Sequence, residues 1–246
     1  MGDTAFLVLV SGIFFLGGFI KGTIGLGLPT VTMGLLSIMM APAQAAAMLV
    51  IPAIATNLWQ MLAGPAFFAL WRRFATMMLG VAIGTFATIG LLTGAGPWAT
   101  AALGAVLALY GLFGFAPVRF SIEPRREPWF SPAIGLLTGA VNGATGVFVV
   151  PSLPYISSLQ MSREELIQAI GISAFVCPLV LALALLTRGQ MPASAATIGV
   201  VAVLPALAGM YAGQRLRLRL DAATFRRWFF AGLIGLGWYM VVRSFG

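Results

Sequence analysis

Long apolar runs separated by short polar stretches make up most of this chain. A helix that crosses a bilayer needs about 20 consecutive, mainly apolar residues, and six runs meet this requirement. They cover residues 42–64, 74–92, 98–118, 166–186, 192–214 and 225–242. The pattern predicts six transmembrane helices and therefore an all-α polytopic membrane protein.

Two further apolar runs, residues 5–40 and 131–160, are too long for a single crossing. Each contains glycine and proline near its middle, and these residues interrupt the hydrogen bonding of a helix. The first break extends from Gly18 to Pro29 and the second from Gly139 to Pro151. We interpret each run as two short helices joined at a break.

The two breaks resemble each other and belong to a longer repeat. Three glycines recur at a constant offset of 121 residues, which pairs Gly18, Gly22 and Gly25 with Gly139, Gly143 and Gly146. Three ordinary spans follow each break, as expected for an internal duplication. The sequence therefore predicts two halves, residues 1–118 and 131–246, joined by a cytoplasmic linker at 119–130.

The arginines indicate how the halves are oriented, because cytoplasmic loops of membrane proteins carry excess Lys and Arg. If each broken run crossed the membrane once, the arginines would divide seven to six between the two faces. If each is a hairpin, only Arg188 and Arg243 oppose eleven on one face, namely Arg72, Arg73, Arg119, Arg125, Arg126, Arg163, Arg215, Arg217, Arg219, Arg226 and Arg227. We therefore predict two inverted-topology repeats, each a broken-helix hairpin plus three transmembrane helices, with both termini outside the cytoplasm.

Composition restricts the chemistry that the protein can perform. Of its 246 residues, 60% are hydrophobic, 8% are charged and none is histidine. Six acidic residues offer little for paired carboxylates, Ser-His-Asp triads or metal centres, so we predict no enzymatic activity, no cofactor and no metal. The net charge of +8 comes from cations scattered between apolar runs. We therefore expect the lipid bilayer, and not nucleic acid, as a partner.

The breaks are the leading candidates for a binding site, because irregular backbone within a membrane is tolerated only inside protein or beside a watery cavity. A helix that restarts there presents free N–H groups and a partial positive charge, which favour an anion. Lys21 is a cation within an apolar run, and its repeat counterpart is Asn142. All but one of the predicted substrate-binding residues lie at the breaks, and the exception, Asn57, lies in the span 42–64. They are Lys21, Gly22, Thr23, Gly25, Gly27, Asn57, Asn142, Gly143, Thr145 and Gly146.

Two structural alternatives stay open for these residues. In the first, the glycines of the breaks bind no substrate and only allow close helix packing, as we expect for Gly80 with Gly84 and for Gly209 with Gly213. Lys21 would extend its side chain to the membrane interface from a short first helix.

The glycine-rich breaks also carry a resemblance to a known family. The segment from Gly22 to Pro29 precedes an Ala-rich helix start at residues 43–47, and a weaker copy from Gly143 to Pro151 precedes Gln168. Together these segments resemble the sulfite exporter TauE/SafE family, also called sulfonate uptake permeases, over nearly the whole chain. Leu26 and Leu28 interrupt the fuller Gly-x-Gly-Gly-Gly run that is typical of the family.

The resemblance implies transport of small sulfur anions, such as sulfite, sulfonates or sulfoacetate, across the inner membrane of bacteria, with carboxylates as a variant. We therefore predict an exporter of a small anion that binds between the two breaks near the membrane midplane. The alternatives are an anion channel, a sodium- or proton-coupled uptake permease, and a subunit of a larger membrane complex. A homodimer also stays open.

Overall fold

The computed structural model describes residues 3–62, 64–94, 96–115, 121–123, 125–217 and 221–245. The end of the predicted span 98–118, the start of the linker at 119–120, Arg119 and Arg219 lie outside these residues. All regular secondary structure in the described part is α-helical, and the helices are α1 Asp3–Ile24, α2 Leu28–Met39, α3 Pro42–Leu62, α4 Phe67–Thr93, α5 Pro97–Phe115, α6 Glu127–Thr145, α7 Ser152–Ser158, α8 Arg163–Thr187, α9 Ala193–Leu216 and α10 Ala222–Phe245.

Seven of the described helices are long and apolar enough to cross a membrane: α1, α3, α4, α5, α8, α9 and α10. All six predicted spans are among them. The largest difference in bounds is at α4, which begins at Phe67 instead of residue 74. Its first turns carry Arg72 and Arg73, because a helix continues beyond the apolar core that hydropathy detects. The chain is therefore a multi-pass membrane protein, as predicted.

Both long apolar runs are interrupted where the sequence predicts. Between α1 and α2, Gly25 and Gly27 have φ angles of 88° and 117°. Between α6 and α7, Gly146 has a φ of 72°. Glycine adopts positive φ without the steric cost that a Cβ brings. Gly25 follows the end of α1, Gly27 precedes the start of α2, and Gly146 follows the end of α6. Each run thus consists of a longer helix and a shorter one. The prediction of two short helices was wrong for α1, whose 22 residues are long enough to cross a membrane.

Glycines four residues apart bring two pairs of helices into backbone contact. A Cβ on Gly18, Gly22, Gly209 or Gly213 would collide with a carbonyl oxygen of the partner helix in the pair α1 and α9. The same holds in the pair α4 and α6 for Gly80, Gly84, Gly135, Gly139 and Gly143. This spacing is typical of membrane helices that pack through small residues. It confirms the packing role expected for the glycines of α4 and α9.

Two helix pairs, α3 with α8 and α5 with α10, pack antiparallel. In the pair α3 and α8, Asn57 contacts Ala174 and Gln168 contacts Met61. In the pair α5 and α10, Trp98 at the start of α5 contacts Phe245 at the end of α10. The first helix of each half packs on the fourth helix of the other, which gives the pairs α1 with α9 and α6 with α4. The packed pairs are thus α3 with α8, α5 with α10, α1 with α9 and α4 with α6.

Candidate functional site

Lys21 lies in the last turn of α1, within the first break and four residues before Gly25, the first glycine with positive φ. Its side chain is only 7% exposed. The ammonium donates hydrogen bonds to Thr56 Oγ1, at 3.0 Å, and to Asn57 Oδ1, both on α3. Among the described residues no carboxylate pairs with it. The positive charge is therefore buried with neutral partners.

Asn57 links Lys21 to α8. Its Nδ2 donates to Ala53 O within α3, at 2.7 Å, and to Ala174 O on α8, at 3.0 Å. Pro178 lies inside α8 four residues after Ala174. Proline has no N–H, so the carbonyl of Ala174 lacks its usual helical donor and accepts from Asn57 instead. The proline of one helix thus creates the acceptor for the amide of another.

A cavity of about 740 Å³ extends from Lys21 to the protein surface. Its lining includes Gly25 at the break, Gln168 on α8, and Arg163 and Arg217 at helix ends. Lys21 is buried whereas Arg163 and Arg217 are exposed. The cavity therefore leads from a cationic inner end to a mouth that carries further cations, with Glu164 as its acidic lining residue.

The predicted residues of the first break have different surroundings. Gly22 and Gly25 both line the cavity. Gly22 also packs on the backbone of Met210, whereas a Cβ on Gly25 would meet no atom within 4 Å. Thr23 donates to Phe19 O at 2.9 Å, within its own helix. Gly27 lies between the side chains of Ile20 and Phe229, away from the cavity lining.

The predicted residues of the second break form a separate, closely packed region. Asn142 is fully buried and donates to Cys177 O at 3.0 Å and to Thr85 Oγ1 at 3.2 Å. Gly143 packs on the backbone of Thr85. Thr145 donates to its own helix at Val141 O, at 2.7 Å.

Gly146 completes this region by ending α6 in the left-handed conformation. Neither it nor Asn142, Gly143 or Thr145 is among the residues that line the cavity. The structure thus joins Lys21, Gly22 and Gly25 on the cavity, with Asn57 behind Lys21, and leaves the second break outside it. The binding role of all these residues stays a prediction.

The two breaks approach each other at a small pocket next to the cavity, and Leu26 and Ile170 line both. Leu26 from the first break and Phe148 from the second line it, together with Ser173 and Ala174 of α8. Its volume is about 20 Å³, which is space for about one water molecule. The pocket that the two breaks share is therefore small and mainly apolar.

Several polar residues that line the cavity were not predicted from the sequence to bind substrate. They are Thr56, Arg163, Gln168, Gln214 and Arg217, and all of them line the cavity. Gln168 also donates to Met61 O and Gly64 O, at 3.0 and 2.8 Å, and so fixes the end of α3 to α8. Their positions could have indicated a site at one membrane face, since each of these polar residues lies toward one end of a predicted span or beside it.

Comparison of the sequence with known proteins identifies a family to which the chain is similar. The family described as Sulfite exporter TauE/SafE matches residues 10–240. No curated protein and no solved structure matches the chain. The family match includes both breaks, the cavity residues and nine-tenths of the chain's length or more. A multi-pass helical protein with this match belongs to the sulfite exporter TauE/SafE family.

Proposed function

We propose that the chain is a carrier that exports a small anion, a sulfur oxyanion or an organosulfonate, bound at Lys21. The observation that carries the proposal is the buried ammonium at the inner end of the cavity, whose hydrogen-bond partners among the described residues are all neutral. A buried charge is costly unless a partner compensates it. An anion that enters the cavity supplies that partner, and the ammonium has a third N–H to donate.

The arrangement of helices supports inverted halves in this proposal. Single-crossing broken runs would make α3 parallel to α8 and α5 parallel to α10, whereas hairpins make both pairs antiparallel. The contacts of Asn57 with Ala174 and of Trp98 with Phe245 belong to antiparallel pairs. Arg73 also pairs with Glu127 at 2.7 Å, so the start of α4 and the end of the linker lie on one face.

The same face bears the mouth of the cavity, because Gly64, Arg163 and Arg217 surround it. The positive-inside rule assigns this arginine-rich face to the cytoplasm. The structure then corresponds to an inward-facing carrier that is ready to take an anion from the cytoplasm. We assign the second-break residues Asn142, Gly143, Thr145 and Gly146 to the opposite, outward-facing state, in which the equivalent region of the other half opens.

The narrow pocket between the breaks favours a carrier over a channel. A channel needs a continuous open path, but the space between Leu26 and Phe148 admits about one water molecule. Saturable flux and counterflow are expected for a carrier, and ohmic single-channel currents for a channel. Flux by the purified protein alone would count against a role as a mere subunit of a complex.

The simplest energy source is the electrochemical gradient of the anion itself. Moving one charge through 100 mV is worth about 2.3 kcal/mol, roughly a fifty-fold accumulation ratio. An inside-negative potential therefore favours export. Charged acidic side chains are absent from the interiors of the six spans predicted from sequence, which argues against a carboxylate proton relay.

Proteoliposomes with a potassium-diffusion potential test the proposal. Sulfite, methanesulfonate and acetate are loaded separately, and flux is measured with and without sodium. We expect sulfite or methanesulfonate to move toward the positive side without any need for sodium. Flux that ignores the potential, or that appears only with a sodium or proton gradient, would contradict the export mechanism and favour coupled uptake.

A further inference from the structure

We infer that Asn57 is a positioning residue that couples occupation of Lys21 to the turn of α8 that precedes Pro178. The inference rests on the proposed function, because it takes Lys21 as the group that meets the anion. It adds how anion binding at the cavity affects α8, which lines the small pocket where the two breaks meet.

The first link is the hydrogen bond from the Lys21 ammonium to Asn57 Oδ1. Both residues are buried, and Asn57 is not among the residues that line the cavity. Thr56 Oγ1 accepts a second N–H at 3.0 Å. An ammonium has three N–H donors, and the third remains for a ligand in the cavity.

The second link is the bond from Asn57 Nδ2 to Ala174 O, at 3.0 Å. Only one of the two amide orientations allows both links, because the ammonium needs the oxygen and the carbonyl needs the N–H₂ group. Pro178 makes this second link available by withholding the N–H that would otherwise occupy Ala174 O. The side chain of Asn57 therefore connects the end of α1 to one turn of α8.

The other half of the protein reaches the same turn. Asn142, the repeat counterpart of Lys21, donates to Cys177 O at 3.0 Å. Ala174 also lines the narrow pocket between Leu26 and Phe148. The turn from residue 174 to 177 is thus bonded by one asparagine from each half and lies where the two breaks meet.

An anion in the cavity acts on this chain of bonds through Lys21. A hydrogen bond between two charged groups is roughly twice as strong as a neutral one, so the ammonium shifts toward the anion and donates less to Asn57 Oδ1. Hydrogen bonds in a chain strengthen one another, so the bond from Asn57 to Ala174 O weakens as well. Occupation of Lys21 therefore loosens α8 at the turn beside both breaks.

The substitution Pro178→Ala tests this coupling without touching Lys21, Asn57 or the lining of the cavity. Residue 178 then has an N–H that bonds Ala174 O, and Asn57 is no longer needed there. With sulfite as the probe, we expect binding to the purified protein to be as tight as in the wild type or tighter, because the anion no longer has to weaken a bond from Asn57 to Ala174 O. Turnover in proteoliposomes should fall by about tenfold or more, within the usual range of coupling between sites. Asn57→Asp should instead lower sulfite affinity, because its carboxylate pairs with Lys21.

Pro205→Ala is the matched control, since Pro205 lies inside α9 and its loss makes the same chemical change in a helix outside this chain of bonds. It should leave both binding and turnover near the wild-type values. Wild-type turnover in Pro178→Ala, or an equal loss in Pro205→Ala, would overturn the inference.

A measurement without ligand separates this inference from the proposed function. Leu26→Cys in a Cys177→Ala background places a single thiol at the narrow pocket, and its rate of modification reports the position of α8. Pro178→Ala and Asn57→Leu should both change that rate, and Pro205→Ala should not. A wild-type protein that neither binds nor moves sulfite would count against the proposed function, whereas unaltered labelling in both test variants would overturn the coupling.

Discussion

Replacing Lys21 by Gln is expected to move anion affinity and protein stability in opposite directions. Gln retains a hydrogen-bond donor and a similar length, but it removes the buried positive charge. Thr56 and Asn57, which accept from the ammonium, are themselves neutral. The change therefore separates the charge of Lys21 from its volume.

The loss of affinity follows from the kind of hydrogen bond that is removed. A hydrogen bond to a charged group contributes about 1.5–3 kcal/mol, and about 1.4 kcal/mol is a factor of ten in affinity. Lys21→Gln should therefore weaken anion binding by roughly ten- to a hundred-fold. Since the anion would also lose the only cation at the buried end of the described cavity, the flux at low anion concentration should fall in proportion.

The stability of the empty protein should respond in the other direction. The ammonium of Lys21 is taken out of water without a carboxylate partner among the described residues, and burial of an unpaired charge opposes folding. Removing that charge relieves this cost. We expect the midpoint of thermal unfolding in detergent to rise in the Gln variant.

Arg163→Gln is the matched control, because it removes the same formal charge from an exposed position at the mouth of the cavity. Exposed charges act through a high dielectric and are screened by salt, so its effect on affinity should be small and should vanish at high ionic strength. The measurements are anion titrations and thermal unfolding of all three proteins. Wild-type affinity in Lys21→Gln, or equal losses in both variants, would refute this account of Lys21.

Two further predictions concern packing and topology. Gly18→Ala should destabilise the protein by about 1–3 kcal/mol or more, as overpacking does, because the new methyl group meets the carbonyl of Ala206. Gly12→Ala on the same helix has open space and should stabilise it by up to about 1 kcal/mol through helix propensity; thermal unfolding of both variants in detergent decides the point, and equal midpoints would contradict it. In a Cys177→Ala background, a cysteine at Gly96 should react with an impermeant thiol reagent on intact cells and one at Gln160 should not. Labelling of position 160 from outside would rule out the hairpin arrangement.

The sequence determined the helices and their interruptions, because both depend on local chemistry. Apolar runs of sufficient length predict spans in any fold, since the bilayer imposes the same requirement on each of them. Gly25, Gly27 and Gly146 adopt positive φ, which glycine tolerates and other residues do not. The offset between the breaks and the spacing of Gly80 and Gly84 were likewise visible without coordinates.

Only the tertiary structure decided which polar groups meet. Lys21 and Asn57 are 36 residues apart, and Asn57 and Ala174 are 117 apart, so no local pattern indicates these bonds. The sequence made Lys21 and Asn142 equivalent, but α3, α8 and α9 leave a cavity beside Lys21, whereas α4 and α8 pack closely around Asn142. The break glycines divide in the same way, because Gly22 and Gly143 face a neighbouring backbone whereas Gly25 faces open space. Such differences arise from the positions at which whole helices cross. A repeat in the sequence does not indicate which of its two copies lies beside a cavity.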